Sequence, residues 1–311
     1  MIIMATYTNL SASAIRRISN ERIELEQDRE RLGKEEGVYF YWNPDSIDRD
    51  YKQLLIGPED TPYEGGFFFF EATFCDQYPL YPMKMSAKTQ GLGFRQHPNY
   101  YTEGKCCLSI LNTWQGPPWS PALKISKVAL TMKSIFTKNP LQNEPGYASK
   151  PASDPICMTY EIQVEYWTLL VAVIHMLREP PRGFEVFLPI CREFFMNNYQ
   201  KYMERINNLR PINLSTHKVY NCSLAITKHQ LRLEYEDMYK ILTNLTKPAK
   251  PIQTPSNAGS ANNETTSVLS VSGDTRPSSS AKLFDEGTTV ITKDGRKWMV
   301  KNSNGKRWVL A

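Results

Sequence analysis

Four short runs of aromatic and β-branched residues between positions 38 and 87 constrain the fold of this chain most strongly. Clusters of Gly, Pro, Asp and Glu separate the runs, notably at residues 57–60 and 64–66. Runs of this length and composition, bounded by turn clusters, are typical of β-strands. The segment therefore predicts a meander of about four antiparallel strands, at Val38–Trp42, Tyr51–Ile56, Phe67–Phe74 and Met83–Ala87.

Helical patterns flank this meander on both sides. Residues 11–31 place Ile15, Ile18 and Leu25 on one face of a predicted helix. After the strands comes a stretch rich in Gly, Pro and Asn, residues 90–121, and loops of that length are usually functional. Further helices are predicted at 125–136, 160–177, 185–208 and 227–245. One helix, an antiparallel meander, a long loop and several helices define an α+β fold.

Changes in composition divide the chain into five parts. Residues 247–285 are rich in Pro, Ser, Thr, Asn and Gly, with too few large apolar side chains to offset the entropy of ordering. We predict an N-terminal tail (1–10), an α+β core (11–155), a helical extension (156–246), a flexible linker (247–285) and a small β-meander tail (286–311).

The last 26 residues contain two hairpin signals, Asp294-Gly295 and Asn304-Gly305. Each is followed by a basic pair, a Trp and apolar residues. One hypothesis is a small partner-binding surface, and the alternative is a solvated tail whose aromatic residues pair within a hairpin. The residues of the hypothetical surface are Trp298, Trp308, Arg296, Lys297, Lys306 and Arg307.

Composition and charge exclude several classes of protein. The net charge of +5 is modest for 311 residues, and no run of five basic residues occurs, so there is no strong nucleic-acid signal. The longest apolar stretch, residues 169–174, falls far short of the ~20 residues that a membrane span requires. The first residues lack the pattern of a signal peptide. We therefore expect no membrane partner and a cytoplasmic or nuclear protein.

The adjacent pair Cys106-Cys107 stands out among six cysteines, none of which forms a CxxC pair or has the His partners of a zinc site. If residues 105–111 are extended, their side chains alternate between two faces. Cys106 then shares an apolar face with Leu108 and Ile110, while Cys107 points the other way. This pattern predicts a buried Cys106 and an exposed Cys107.

An exposed thiol in this loop suits acyl transfer, because sulfur is nucleophilic and its thioester stays reactive towards amines. The tetrahedral intermediate needs a hydrogen-bond donor for its oxyanion, and the Asn99 amide is the candidate. Pro98 would stiffen that backbone, and His97 could hold the loop. Two alternatives stay open at this point: an unreactive core cysteine, and a cysteine protease, which would need one of the four histidines at 97, 175, 217 and 229 as its base.

Four ordered motifs resemble those of the ubiquitin-conjugating enzymes. His97-Pro98-Asn99, followed by Cys107-Leu108, is similar to the family's active-site signature. Residues 56–66, 74–82 and 119–122 resemble its strand-and-turn motif, its next loop and the motif before its second helix. The similarity spans about residues 12–147. Residues 116–122 and 139–147 are most similar to the large-subclass members, which have a longer loop after the cysteine and a helical C-terminal extension.

This resemblance implies a role for each matching residue of the active site. Cys107 would accept the C-terminal glycine carbonyl of ubiquitin or a ubiquitin-like protein, and Asn99 would stabilise the oxyanion. His97 would be largely structural, and Glu144 would orient or deprotonate the incoming lysine. Ser109 stands where common members carry Asp.

The resemblance also implies partners. Arg16 and Arg17 match residues that engage the activating enzyme, while Leu80, Pro121 and Ala122 match residues that dock ubiquitin ligases. The modifier would pass to lysines of protein substrates, usually with a ligase. ATP is consumed by the activating enzyme, so no bound cofactor is expected. The alternative is a non-enzymatic interaction module of the ubiquitin pathway with the same fold.

Overall fold

The computed structural model describes residues 10–43, 49–212 and 217–246, together with the backbone of three strands at 289–291, 297–302 and 306–310. The chain divides into two compact units, Met1–Pro248 and Ala249–Ala311. The predicted linker and nearly all of the predicted N-terminal tail lie outside the described residues. The five-part division therefore stays a prediction.

The first unit begins with two helices, α1 (Ala12–Gln27) and α2 (Arg29–Lys34). The Ser11 side chain caps α1 by accepting a hydrogen bond from the backbone N–H of Ala14. Ile18 and Leu25 lie on the buried face of α1, as their helical spacing predicts. The single helix predicted over 11–31 is divided, because the backbone leaves helical geometry at Asp28 (φ −96°, ψ 8°).

Four antiparallel strands follow in the order β1-β2-β3-β4, which confirms the predicted meander. In their register Leu54 is opposite Phe69, and Phe70 is opposite Ala87. Together with the helices, this sheet confirms the predicted α+β fold. The strands are β1 (Val38–Tyr41), β2 (Asp50–Ile56), β3 (Phe67–Thr73) and β4 (Lys84–Ala87).

Strand β3 is buried on both faces of the sheet, because Phe67 to Phe70 are all inaccessible. On the inner face, the Phe68 ring lies 4.5 Å from that of Phe136, just beyond helix α3 (Ile125–Ser134). On the outer face, the Phe69 ring lies 5.2 Å from that of Phe184 in the helical extension. The sheet is therefore a middle layer between the loop-and-α3 side and the extension.

The extension begins with one long helical segment. It comprises α4 (Pro155–Trp167), a π-helical stretch (Thr168–His175) and α5 (Met176–Arg178). The Asp154 carboxylate caps α4 by accepting from the backbone N–H of Ile156 at 2.9 Å. Residues 168–174 are all buried. The run of apolar residues that stood out in the sequence is thus an interior helix.

Three more helices complete the extension: α6 (Leu188–Asn197), α7 (Tyr199–Asn208) and α8 (Lys228–Thr246). The helix predicted over 185–208 is divided at Asn198, whose backbone (φ −111°, ψ 12°) separates α6 from α7. None of the helices in the described segments is long and apolar enough to cross a membrane.

Side chains of helix α7 are hydrogen-bonded to the backbone of the turn between β2 and β3. The Tyr202 hydroxyl donates to the carbonyl of Gly65 at 2.7 Å, and the Arg205 guanidinium donates to the carbonyls of Glu64 and Pro62. Gly65 has φ +70°, and a Cβ there would lie 2.8 Å from the Tyr202 hydroxyl oxygen. Glycine is therefore required both by the backbone conformation and by the close approach of α7.

The second unit contains a three-stranded antiparallel sheet in the order β5-β6-β7, as the tail pattern predicts. In its register Trp298 is opposite Val290 and Leu310, and Trp308 is opposite Val300. Both predicted hairpin turns lie outside the described residues. The partner-binding surface stays a prediction. The strands are β5 (Thr289–Ile291), β6 (Lys297–Asn302) and β7 (Lys306–Leu310).

Candidate active site

His97 is buried and holds the loop that precedes the cysteine pair. Its Nδ1 accepts a hydrogen bond from the backbone N–H of Asn99 at 2.9 Å, so its Nε2 carries the proton and donates to the carbonyl of Ile135 at 3.0 Å. The rings of Tyr100 and Phe136 pack around it. Burial lowers the pKa of His97 to about 3, so the imidazole is neutral at physiological pH.

This geometry argues against a cysteine protease. Both ring nitrogens of His97 are engaged by backbone groups, and Nε2 of His217 is hydrogen-bonded to the carbonyl of Ile156. Within the described residues no histidine is hydrogen-bonded to Cys107. A protease nucleophile requires such a base.

The structure corrects the prediction that Cys107 is exposed, because Cys106 and Cys107 are both buried residues, each 2 % exposed. The assumed strand ends at Leu108, and the chain turns into a 3₁₀-helix at Ser109–Leu111. Strand alternation therefore stops before Ile110, which is only half-buried, while Leu111 is buried.

The two thiols nevertheless differ in their surroundings. Cys106 belongs to the continuous apolar core that includes Leu108, whereas Cys107 is not part of that core among the described residues. Burial raises the pKa of the Cys106 thiol to about 12, which makes it a poor nucleophile at neutral pH. The prediction that Cys106 is the core thiol is thus confirmed.

Asn99 clamps the backbone of Cys107 from both sides. The N–H of Cys107 donates to the carbonyl of Asn99 at 2.8 Å, and the side-chain amide of Asn99 donates to the carbonyl of Cys107 at 2.7 Å. The Oδ1 atom of Asn99 is buried and has no hydrogen-bond partner among the described residues. The side-chain amide of Asn99 is therefore fixed beside the residue that carries the thiol.

Thr113 also shapes this loop, and the sequence patterns did not single it out. Its hydroxyl accepts from the backbone N–H of Leu108 at 2.9 Å and donates to the carbonyl of Cys106 at 2.8 Å. These bonds fold the chain back immediately on both sides of Cys107. The only signal in the sequence was a polar β-branched residue a few positions after the cysteine.

Glu144 lies after a short 3₁₀-helix, Pro140–Asn143. One of its carboxylate oxygens, Oε2, accepts a hydrogen bond from the Tyr220 hydroxyl at 2.6 Å. Tyr220 belongs to the extension, 76 residues further along the chain. Its contact with Glu144 was not predicted, because no local pattern relates two positions so far apart.

The residues predicted to dock a ligase lie on two exposed loops. Leu80 is 69 % exposed, and Pro121 and Ala122 are also exposed. The buried indole of Trp119 joins the two loops by donating from Nε1 to the carbonyl of Pro79 at 2.7 Å. Leu80, Pro121 and Ala122 therefore lie on two loops whose relative position is fixed by this hydrogen bond.

The two basic residues predicted to engage an activating enzyme have different environments. Arg16 is exposed on α1. Arg17 pairs with the buried carboxylate of Glu21 and donates to the carbonyl of Leu123 at 3.1 Å. Glu21 also accepts from the backbone N–H of Ile125 at 2.6 Å, at the start of α3. Arg17 therefore has a structural role that the motif match did not indicate.

The fold and this cysteine loop define a ubiquitin-conjugating domain. The family model described as "Ubiquitin-conjugating enzyme" matches residues 22–161. Residues 22–161 are thus similar to the ubiquitin-conjugating enzymes, and the rest of the chain lies outside that match.

Relatives in several animals share this domain. Ubiquitin-conjugating enzyme E2 Z of Xenopus tropicalis is 36% identical over 189 residues, covering 60% of this chain and 60% of the relative. E2 Z of Homo sapiens is 36% identical over 190 residues, covering 58% and 51%. Probable ubiquitin-conjugating enzyme protein 17 of Caenorhabditis elegans is 34% identical over 189 residues, covering 57% and 26%. The chain thus spans about half of the length of the E2 Z relatives.

Proposed function

We propose that this protein is a ubiquitin-conjugating transferase. It accepts ubiquitin or a ubiquitin-like protein from an activating enzyme as a thioester on Cys107 and transfers it to a lysine of a protein substrate. The observation that carries the proposal is the Asn99 amide held at 2.7 Å from the carbonyl of Cys107. A hydrogen-bond donor thus lies beside the thiol that the resemblance of the His97-Pro98-Asn99 and Cys107-Leu108 motifs implies is catalytic.

The first step is transfer from one thiol to another. The sulfur of Cys107 attacks the thioester carbonyl carbon of the modifier's C-terminal glycine. The new carbon–sulfur bond forms as the bond to the activating enzyme's sulfur breaks, and the proton that Cys107 loses ends on that leaving sulfur. ATP is consumed earlier by the activating enzyme, so this chain needs no bound cofactor of its own.

The second step transfers the acyl group to an amine. The lysine nitrogen attacks the same carbonyl carbon, and the oxyanion that forms needs a donor. The Asn99 amide serves if it turns from the carbonyl of Cys107 to the new oxygen, a contact worth ~3 kcal/mol in comparable sites. The intermediate then collapses, Cys107 leaves as thiolate, and the lysine nitrogen loses a proton. Glu144 is the proposed group that orients the lysine or accepts this proton.

Burial of Cys107 imposes a condition on this mechanism. Cys107 is only 2 % exposed, so a protein C-terminus reaches its sulfur only if neighbouring residues move. We propose that the loop around Cys107 opens when the modifier enters.

We propose partners for helix α1 and for the two exposed loops that Trp119 joins. Arg16 and Arg17 on α1 would contact the activating enzyme, and Leu80, Pro121 and Ala122 would dock a ligase. All six cysteines are free thiols. Free thiols are typical of reducing compartments, which supports the cytoplasm or nucleus as the place of action.

Thioester formation tests the proposal directly. The purified chain is incubated with ATP and a panel of modifiers, each with its activating enzyme. We expect an adduct that thiol reductant removes and that Cys107→Ala abolishes, while the neighbouring Cys106→Ala retains it. Absence of a wild-type adduct with every modifier would contradict the proposal.

The burial of Cys107 favours one alternative, a non-enzymatic module that keeps the fold without transfer. The two proposals differ in the fate of a preformed thioester. Discharge to lysine supports the transferase, whereas a thioester that never discharges, even with a ligase, supports the module.

A further inference from the structure

A segment of the extension, residues 217–226, contacts the core through Tyr220, which is hydrogen-bonded to Glu144. Its first turn is closed by two contacts of His217, whose N–H donates to the carbonyl of Cys222 at 2.6 Å and whose Nε2 lies 3.2 Å from the carbonyl of Ile156. Asn221 adopts the left-handed conformation within this turn. The turn is therefore tied to the start of α4 and presents Tyr220 at a defined position.

Tyr220 is packed on its ring and bonded at its hydroxyl. Its ring lies 5.3 Å from that of Tyr160, and its hydroxyl donates to Oε2 of Glu144 at 2.6 Å. Burial raises the pKa of the Tyr220 phenol, so the hydroxyl keeps its proton and stays a donor. A short bond from a neutral donor to a carboxylate fixes the direction in which that carboxylate faces.

The Tyr220 ring also contacts Arg95, which is hydrogen-bonded to the loop that contains His97-Pro98-Asn99. The guanidinium of Arg95 lies 3.6 Å from the ring centre of Tyr101 and 4.7 Å from that of Tyr220. It also donates to the carbonyl of Pro98, in the centre of the His97-Pro98-Asn99 motif. One extension residue, Tyr220, therefore touches both Glu144 and the cation that holds the Asn99 loop.

We propose that Tyr220 is a positioning residue for acyl transfer to lysine, because it holds Glu144 through Oε2, so that Oε1 is the oxygen that accepts from the incoming amine. This inference rests on the proposed function. In this arrangement Glu144 accepts a hydrogen bond from the lysine nitrogen while Tyr220 keeps the carboxylate from rotating. The extension thereby supplies part of the active site that the matched domain, residues 22–161, does not contain.

The test compares Tyr220→Phe with Tyr166→Phe. Tyr166 is a matched control, because it is a tyrosine of the extension whose hydroxyl also donates a hydrogen bond, in this case to the carbonyl of Arg210 at 3.0 Å. Each variant is loaded with modifier, purified as the thioester and mixed with free lysine at several concentrations. We expect the maximal discharge rate of Tyr220→Phe to fall about tenfold, as for loss of a bond to a charged group, with loading and the half-saturating lysine concentration unchanged. Tyr166→Phe should discharge like the wild type.

A double-mutant cycle with Glu144→Gln separates positioning from a general loss of structure. If Tyr220 acts through Glu144, adding Tyr220→Phe to Glu144→Gln slows discharge no further. Full additivity of the two changes, or wild-type discharge by a folded Tyr220→Phe, would overturn the inference. If Tyr220→Phe does not fold, Glu144→Gln is the remaining test: wild-type discharge overturns the inference, because Tyr220 then has nothing to position. Discharge slowed about tenfold supports it, because the carboxylate that Tyr220 holds is then needed. A wild-type chain that never forms a thioester would instead contradict the proposed function itself.

Discussion

The two faces of the sheet are covered by different parts of the chain, and strand β3 shows the contrast within four consecutive residues. Phe68 and Phe70 pack on the inner face, where their neighbours Phe136 and Tyr100 also surround His97. Phe67 and Phe69 pack on the outer face against the extension. The inner face supports the cysteine loop, and the outer face supports the helical extension.

This difference shows how the extension is built into the unit. It covers apolar side chains that would otherwise face water, and its helix α7 holds the turn at Gly65 through Tyr202. The family match ends at residue 161, before most of this cover. The extension is therefore one of the two layers that cover the sheet, and we expect the unit to need it for stability.

Removal of the outer cover should have the largest effect. A chain that ends at residue 179 loses the rings of Phe184, Phe187 and Phe194, which cover Phe67 and Phe69. Exposing each of these two side chains costs about 1.5–3 kcal/mol, a large part of the ~5–15 kcal/mol stability of a typical domain. We expect an aggregated or unfolded product by size-exclusion chromatography and circular dichroism.

A chain that ends at Pro248, the boundary of the first unit, is the control and should stay folded. If the chain that ends at residue 179 is a monomer with a cooperative unfolding transition near that of this control, the outer cover is dispensable. The two faces would then be unequal in stability as well as in function.

Single substitutions on the two faces should separate stability from activity. Phe68→Ala and Phe69→Ala each leave a cavity and should lower the free energy of unfolding by about 3–5 kcal/mol. Only Phe68 contacts Phe136, which packs edge-on against His97. We therefore expect thioester formation to slow in Phe68→Ala and to persist in folded Phe69→Ala. Urea unfolding and the loading rate, measured below the unfolding midpoint, provide the comparison, and equal losses of loading would remove the functional distinction between the faces.

The sequence predicted the strands better than the details of the site. Strand positions depend on local composition and turns, which explains the agreement for β1 to β4. The backbone on either side of Cys107 is hydrogen-bonded to the Thr113 hydroxyl, and Glu144 is hydrogen-bonded to Tyr220, 76 residues away. Such side-chain contacts have no periodic pattern, so a motif match predicts which residues act but not what holds them.

The smallest effect should be a pH dependence of the free energy of unfolding, caused by His97 on the inner side of the sheet. Because burial lowers the pKa of His97 to about 3, the unfolded chain binds a proton near pH 6.5 that the folded chain does not bind until near pH 3. Folded stability is therefore unaffected above pH 6.5 and falls with pH below it, by up to ~1.4 kcal/mol per pH unit. We expect urea unfolding between pH 7 and pH 4 to show this slope.

His97→Gln is the variant that isolates the effect, because it lowers stability at every pH but removes one titrating group. Burial also lowers the pKa values of His175 and His217, so some slope of the same sign remains in the variant. The quantity to compare is thus the difference in slope, not the absolute stability. Parallel pH profiles for the wild type and His97→Gln would mean that His97 is protonated in the folded protein, and a protonated ring could not accept the N–H of Asn99 at Nδ1.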